Sequence, residues 1–265
     1  LHTGAPARVT LRARPGPVAL QAGGEEVPVG ALRVVGTVRA VTVEGAGSLR
    51  VQTVDHLFAA LAGLGVHQGL RIEVEGPELP LLDGASLAWV EALRGLGFGG
   101  GLGLSVRPAA GRLRVQRPGV IEARASRFEF RPPARDGEVA VSVELTWPTP
   151  RLATGAKWGG DPADFAARIA PARTFAFVEE VELLLARGLA RHVPPESVVV
   201  LTAEGALTAG RPFAEDEPAR HKLLDLLGDL YLHGGPPLGR VHASRPGHGA
   251  THEAMQAAKA EGIVR

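Results

Sequence analysis

Apolar and polar residues alternate with a period of two in three N-terminal runs, "ARVTLRAR", "ALRVVGTVRAVTVEG" and "LRIEVEG". Such alternation, in stretches rich in β-branched residues and bounded by Gly or Pro, predicts half-buried strands. In "TVDHLFAALAGLG" the period changes. Val54, Leu57, Phe58 and Leu61 form a helical stripe, with Thr53 as the expected N-cap and Gly63 or Gly65 as the stop. "DGASLAWVEALRGLG" predicts a second helix, begun by Ser or Asp and ended by glycine. "GFGGGLGL", residues 97–104, reads as a linker.

Beyond it the order repeats. "GRLRVQR", "GVIEARA", "SRFEFRP" and "EVAVSVELTW" predict strands, followed by helices near Pro162–Ile169 and Val178–Ala186 and a short strand, "SVVVLT". A helix in "DEPARHKLLDLLGDLYLHGG", a strand in "LGRVHAS" and a helix in "HGATHEAMQAAKAEG" complete the chain. The pattern is α+β: two halves, each a strand-rich sheet followed by helices that cover one face. The expected units are 1–100 and 105–265, alike in layout but hardly in sequence.

A chain of 265 residues is long enough for either one large or two smaller cores. The net charge of +1 gives no reason to expect nucleic acid, and basic residues do not cluster with aromatics. No apolar run is long enough to span a bilayer, and "LHTGAPARVTLRARPG" lacks the apolar core of a signal peptide. The chain does not open with Met, so Leu1 is not taken as the native start. The absence of cysteine changes the picture most. It removes disulfides, thiolate zinc sites and a Cys nucleophile, so any metal must use His and carboxylate ligands. Asn is also absent, and three lysines stand against 26 arginines, as in heat-adapted proteins or GC-rich genomes.

His221 and Asp225 share a helix face at i,i+4, a spacing that serves zinc and is equally common in surface pairs. Lys222 and Asp229 add polar groups beside a stripe of leucines that should be buried, and such groups need partners. A catalytic zinc takes three protein ligands, and His56, next to Asp55 in the first turn of a helix, is the candidate third. The alternative makes Asp55 a helix-dipole acid and His56 a surface or capping residue. His67, His192, His233, His242 and His252 fall in loops or on expected solvent faces, and His2 is at the chain end. His248, after a Pro-Gly turn and before a helix, is a ligand, a general acid or an exposed turn residue. In "ARTFAF", Thr174 offers a hydroxyl beside Phe175 and Phe177, or the segment is a core strand end.

In order along the chain, "LHTG", "TVDHLFAALAGLG", "GPELPLLDGA", "ARTFAF", "RHKLLDLLGDLYL" and the "GH" of "SRPGHG" resemble the UDP-3-O-acyl-N-acetylglucosamine deacetylase family (LpxC), zinc amidases of lipid A synthesis. The resemblance implies a two-domain β-α-α-β sandwich, helices packed between two sheets, with the metal site at the domain interface. It implies that His56, His221 and Asp225 bind zinc, with iron(II) as the alternative ion. Thr174 and Lys222 would stabilise the oxyanion, His248 would be the general acid or an electrostatic partner, and Asp229 would orient it. Phe175, Phe177 and Lys222 would meet the substrate, and residues 178–202 would form the acyl passage. Asp55 would be the general base that activates water, in a cytoplasmic monomer acting on an acylated UDP-amino sugar.

The chain departs from the family in three places. Asp55 stands where the family has Glu, one methylene longer, and a misplacement of about 1 Å can cost on the order of a hundredfold in rate. "RHVPPESVVV" replaces the usual Gly-Gly and Asn, and "GVHQG" and "SRPGHG" also differ from the common forms. "LHTG" begins inside a family motif, so the usual first strand would lie upstream or be missing. Two rival readings follow: an amidohydrolase of this fold acting on another N-acetyl sugar, or a metal- or sugar-nucleotide-binding homologue with weak or lost catalysis.

Overall fold

A computed structural model describes residues 3–99, 112–147, 152–186, 190 and 192–265. The first half runs β1 (Arg8–Pro17), β2 (Ala19–Ala22), β3 (Glu25–Pro28), β4 (Arg33–Gly36), β5 (Thr42–Glu44), β6 (Arg50–Gln52), α1 (Asp55–Leu64), β7 (Gln68–Glu75) and α2 (Leu87–Gly95). The second half runs β8 (Gly119–Ala123), β9 (Ser126–Arg131), β10 (Val139–Glu144), β11 (Gly155–Trp158) and α3 (Pro162–Asp164), continued by a π turn at Phe165–Ile169. Then come β12 (Thr174–Phe177), α4 (Val178–Ala186), β13 (Val198–Leu201), β14 (Ala206–Leu207), α5 (Glu217–Tyr231), β15 (Gly239–Ser244) and α6 (His248–Ala260).

Each half holds one main and one small sheet. The main sheets have the orders β1-β7-β2-β3 and β11-β10-β15-β9-β8, and the small ones are β4-β5-β6 and β12-β13-β14. Alternation sets the faces. Leu70, Ile72 and Val74 of β7 point inward while Arg71 and Glu73 point out, and Phe128 and Phe130 of β9 are buried between Arg127, Glu129 and Arg131. The inner faces, α1 and α5 share one continuous apolar core. All ten residues of α1 are buried, which an apolar helix requires on every side.

The long run at 31–45 is two strands, because the chain turns at exposed Val38 and at Arg39, whose φ is 63°. The β2–β3 hairpin was not among the expected elements. It closes on Gly23-Gly24, both at positive φ, as a two-residue turn between right-twisted strands demands. "GRLRVQR" makes only isolated bridges, at Arg114 and Val115. The 97–104 linker, and with it the boundary between 1–100 and 105–265, falls largely outside the described residues, as do Leu1, His2 and part of the 178–202 segment.

Candidate active site

The polar end of α1 meets the side of α5. Gly228 permits the approach: a Cβ there would lie 2.3 Å from the carbonyl oxygen of Asp55. Asp55 Oδ1 accepts from the Val41 N–H at 3.2 Å, and Ser86 Oγ donates to the His56 carbonyl at 2.7 Å. Thr53 does not cap α1. Val54 holds the N-cap position with no side-chain bond, while Thr53 takes a left-handed φ of 60° and its buried hydroxyl has no hydrogen-bond partner among the described residues.

On α5, residues four apart stack along one face, and His221, Asp225 and Asp229 form a buried polar stripe opposite the leucines. The ring centroids of His56 and His221 are 5.1 Å apart. Ligand-capable atoms of His56, His221 and Asp225 all lie within 4.8 Å of one another, and so do those of Asp55, Asp225 and His248. His221 Nδ1 is 2.9 Å from the Ala172 carbonyl, which only accepts, so Nδ1 carries the proton and Nε2 keeps its lone pair. That Nε2 lies 3.4 Å from Asp225 Oδ1. Burial pushes His221 down to about 4 despite the pull of Asp225, so the ring is neutral, as a ligand must be. Lys222 Nζ donates to Asp225 Oδ2 at 2.8 Å. Burial opposes both charges, yet the pairing prevails: Lys222 is held above its ordinary value and Asp225 well below.

His248 Nδ1 donates to Asp229 Oδ1 at 2.8 Å. Burial disfavours both charges, but their mutual attraction is stronger. It raises His248 to about 9 and lowers Asp229 to about 2, so a protonated imidazole faces an ionised carboxylate at neutral pH. Of the histidines expected in loops or on solvent faces, His67 and His233 do lie in connections, and His252 differs. His252 is buried, because it stands with Thr251, Met255 and Ala258 in the stripe that packs α6 onto its neighbours. His233 Nε2 lies 2.9 Å from His252 Nδ1, and His67 stacks on Tyr231 with centroids 5.4 Å apart. The i,i+4 spacing of His248 and His252 was the available signal.

These groups stand in the wall of a cavity of about 1000 Å³ shared by α1, α5, β12 and α4. His56, His221, Asp225, Asp55, Lys222, His248, Thr174 and Phe175 all line it. The Phe175 and His221 ring centroids are 6.1 Å apart, edge to face. Phe177 is not part of the lining. Its N–H bonds Glu180 at the start of α4, in the manner of a capping box, and it packs against Leu152, Val199 and Leu201. Apolar Val181, Leu184, Leu185 and Leu207 supply the far wall. Arg39 at the rim, which the sequence reading missed, pairs with Glu180 at 3.3 Å. Among the described residues no helix is long and apolar enough to cross a membrane.

A family model describing UDP-3-O-acyl N-acetylglycosamine deacetylases matches residues 1–260. Over 264 residues the chain is 34% identical to a UDP-3-O-acyl-N-acetylglucosamine deacetylase of Myxococcus xanthus, covering 97% of this chain and 81% of the relative. A protein of the same name from Thermosynechococcus vestitus is 34% identical over 232 residues, covering 87% and 77%. One from Shewanella loihica is 34% identical over 215 residues, covering 80% and 68%.

Proposed function

The chain belongs to the UDP-3-O-acyl N-acetylglycosamine deacetylase family, and from that premise we propose that it is a metal-dependent hydrolase removing acetate from an acylated UDP-amino sugar. The observation that carries the reading is the convergence of buried His56, His221 and Asp225 in one cavity wall, facing an apolar one. Two imidazoles and a carboxylate are a donor set for zinc or iron(II), and three ligands leave a position open. Bound there, the ion supplies Lewis acidity for an amide carbonyl and makes a water acidic near neutral pH.

The protein's own groups do the rest. Asp55 takes the water's proton as general base. Its Oδ1 is committed to Val41, so Oδ2, 3.4 Å from His56 Nε2, is the oxygen turned toward the ligands. Thr174 and Lys222 donate to the oxyanion of the tetrahedral intermediate. His248, held protonated by Asp229, gives its proton to the departing nitrogen, leaving acetate and a free 2-amino sugar. Phe175, with Phe177 behind it, borders the sugar-nucleotide side, and the α4 wall accepts the acyl chain as in lipid A synthesis.

Metal analysis paired with hydrolysis assays tests this. The purified protein should carry about one zinc or iron per chain and release acetate from UDP-3-O-acyl-N-acetylglucosamine. His56→Ala, His221→Ala and Asp225→Ala should each lose the metal. Asp55→Asn should lower the rate on the order of 10²–10⁴-fold with metal retained. Turnover only of other N-acetyl sugars would move the substrate assignment, and equal inactivity of parent and Asp55→Asn with metal bound would end the hydrolase reading.

A further inference from the structure

Behind the cavity wall, two further histidines converge on the carboxylate that holds His248. His252 lies one turn further along α6 and is 5% exposed, and His233 follows α5. His252 Nε2 is 3.5 Å from Asp229 Oδ1, the oxygen that already accepts from His248, and among the described residues this buried nitrogen makes no standard hydrogen bond. Its Nδ1 is 2.9 Å from His233 Nε2.

Electrostatics decides the tautomers. An ionised Asp229 oxygen only accepts, so His252 turns an N–H toward it rather than a lone pair. His252 Nδ1 is then the acceptor, and His233 Nε2–H donates to it. Burial, with His252 and Lys259 nearby, drives His233 down to about 3, so it stays neutral through the working range. The charged groups around this chain are few. His248 is faced by Asp229 and Asp225 from α5 and by Asp55 from α1. Arg124, from the β8–β9 turn, packs on Gly249 and pairs with Glu253 of α6.

We propose that His252, its tautomer set by His233, is a positioning residue that directs a second N–H to Asp229 Oδ1. It thereby fixes the carboxylate's orientation and weakens its hold on the His248 proton. The inference rests on reading His248 as the general acid. One donor leaves a carboxylate free to turn, whereas two donors from adjacent turns of α6 hold it. A second donor also draws charge from the oxygen and makes the His248 proton easier to release.

Side-chain ¹⁵N NMR and pH-resolved kinetics test it together. The metal-free parent should show a proton on His252 Nε2, and a ring protonated at Nδ1 alone would overturn the proposal. In the metal-loaded protein, His252→Leu should lower kcat on the order of tenfold. Its alkaline limb should move up by about half a pH unit while metal content stays at the parent's. His252→Gln, which keeps an N–H at similar reach, should recover most of the rate. Parent-like kinetics in His252→Leu overturn the proposal, and so does a loss that Gln fails to rescue and that leaves the limb unmoved. If His248→Ala and Asp229→Ala hydrolyse at the parent rate, the general-acid reading itself fails, an outcome separable from the tautomer result.

Discussion

The two halves share one plan and load it unequally. Each passes from a main sheet to a small sheet, then to a central helix, a strand parallel to a neighbour in its main sheet, and a covering helix. By that plan α1 and α5 are counterparts, just as β7 beside β2 is the counterpart of β15 beside β10. Yet α1 is apolar beyond its first turn and brings only Asp55 and His56 to the cavity, whereas α5 brings a stripe of His221, Lys222, Asp225 and, behind them, Asp229. The difference follows from how each helix meets the cavity. The end of α1 reaches it, so one turn can carry polar groups, while α5 lines it with the side of its His221–Asp225 stretch. A repeated frame therefore needs chemistry only where each copy touches the shared space.

The starts of the two helices are also held differently, and this gives the largest predicted effect. Glu217 at the start of α5 accepts from buried Arg173 at Nε (2.8 Å), Nη2 (3.1 Å) and the backbone N–H (3.0 Å). At the start of α1 the ties are two separate single bonds, from the Val41 N–H to Asp55 Oδ1 and from Ser86 Oγ to the His56 carbonyl. Glu217→Ala strands a buried guanidinium and should cost about 3–5 kcal/mol, against about 1 kcal/mol for Ser86→Ala. Burial alone would raise Glu217, but Arg173 holds it below its ordinary 4.5. Its stabilisation is therefore complete above pH 4.5 and fades as pH falls through the depressed folded value. Denaturant unfolding at several pH values should show the Glu217→Ala deficit shrinking on that acid side. Equal costs in the two halves would remove the contrast.

Gly228→Ala probes the contact between the counterparts. A methyl 2.3 Å from the Asp55 carbonyl must push α1 from α5, costing about 1–3 kcal/mol. Because the ligands sit on both helices, the shift should also weaken metal binding and lower the rate on the order of a hundredfold. A variant destabilised but equally active would mean that the site tolerates helix separation.

Much of this was legible in the sequence because it is local. The bounds of α4, the stripe of α5 and the i,i+4 pair His221/Asp225 follow from helical period alone. That His56 comes to meet them does not, since it depends on Gly228 and the packing of two distant segments. Phe177 shows the limit: the resemblance puts it near the substrate, and only the fold shows that it stands at the start of α4 and packs on the Leu152 cluster. His252 was misjudged because a polar residue in a buried stripe looks solvent-facing until its partner, Asp229, is known. Arg39 reached the rim only because the run at 31–45 breaks after Gly36, in a turn where Arg39 itself takes the left-handed φ.

The second half also carries a strongly raised imidazole, His248. Its charged form is favoured in the fold, so its contribution to stability is complete below about pH 6.5 and is lost as pH rises through about 9. NMR titration of the metal-free protein should place the His248 transition near 9, and Asp229→Asn should bring it down. An unmoved transition would show that Asp229 is not what holds the charge.

The smallest effect concerns the rim, where Arg39 of the first half reaches Glu180 of α4. Both side chains are more than two-fifths exposed, at 47% and 43%, so water screens the pair and their flexible stems lose entropy in forming it. Arg39→Ala should change stability by less than about 1 kcal/mol, and salt should erase even that difference. Its neighbour Thr37 and the α4 residues line the cavity, so any consequence belongs to substrate entry and should appear in KM with kcat unchanged. A fall in kcat instead would mean that the rim contact reaches the ligands, and that the two halves are joined functionally at the cavity mouth as well as along the α1–α5 contact.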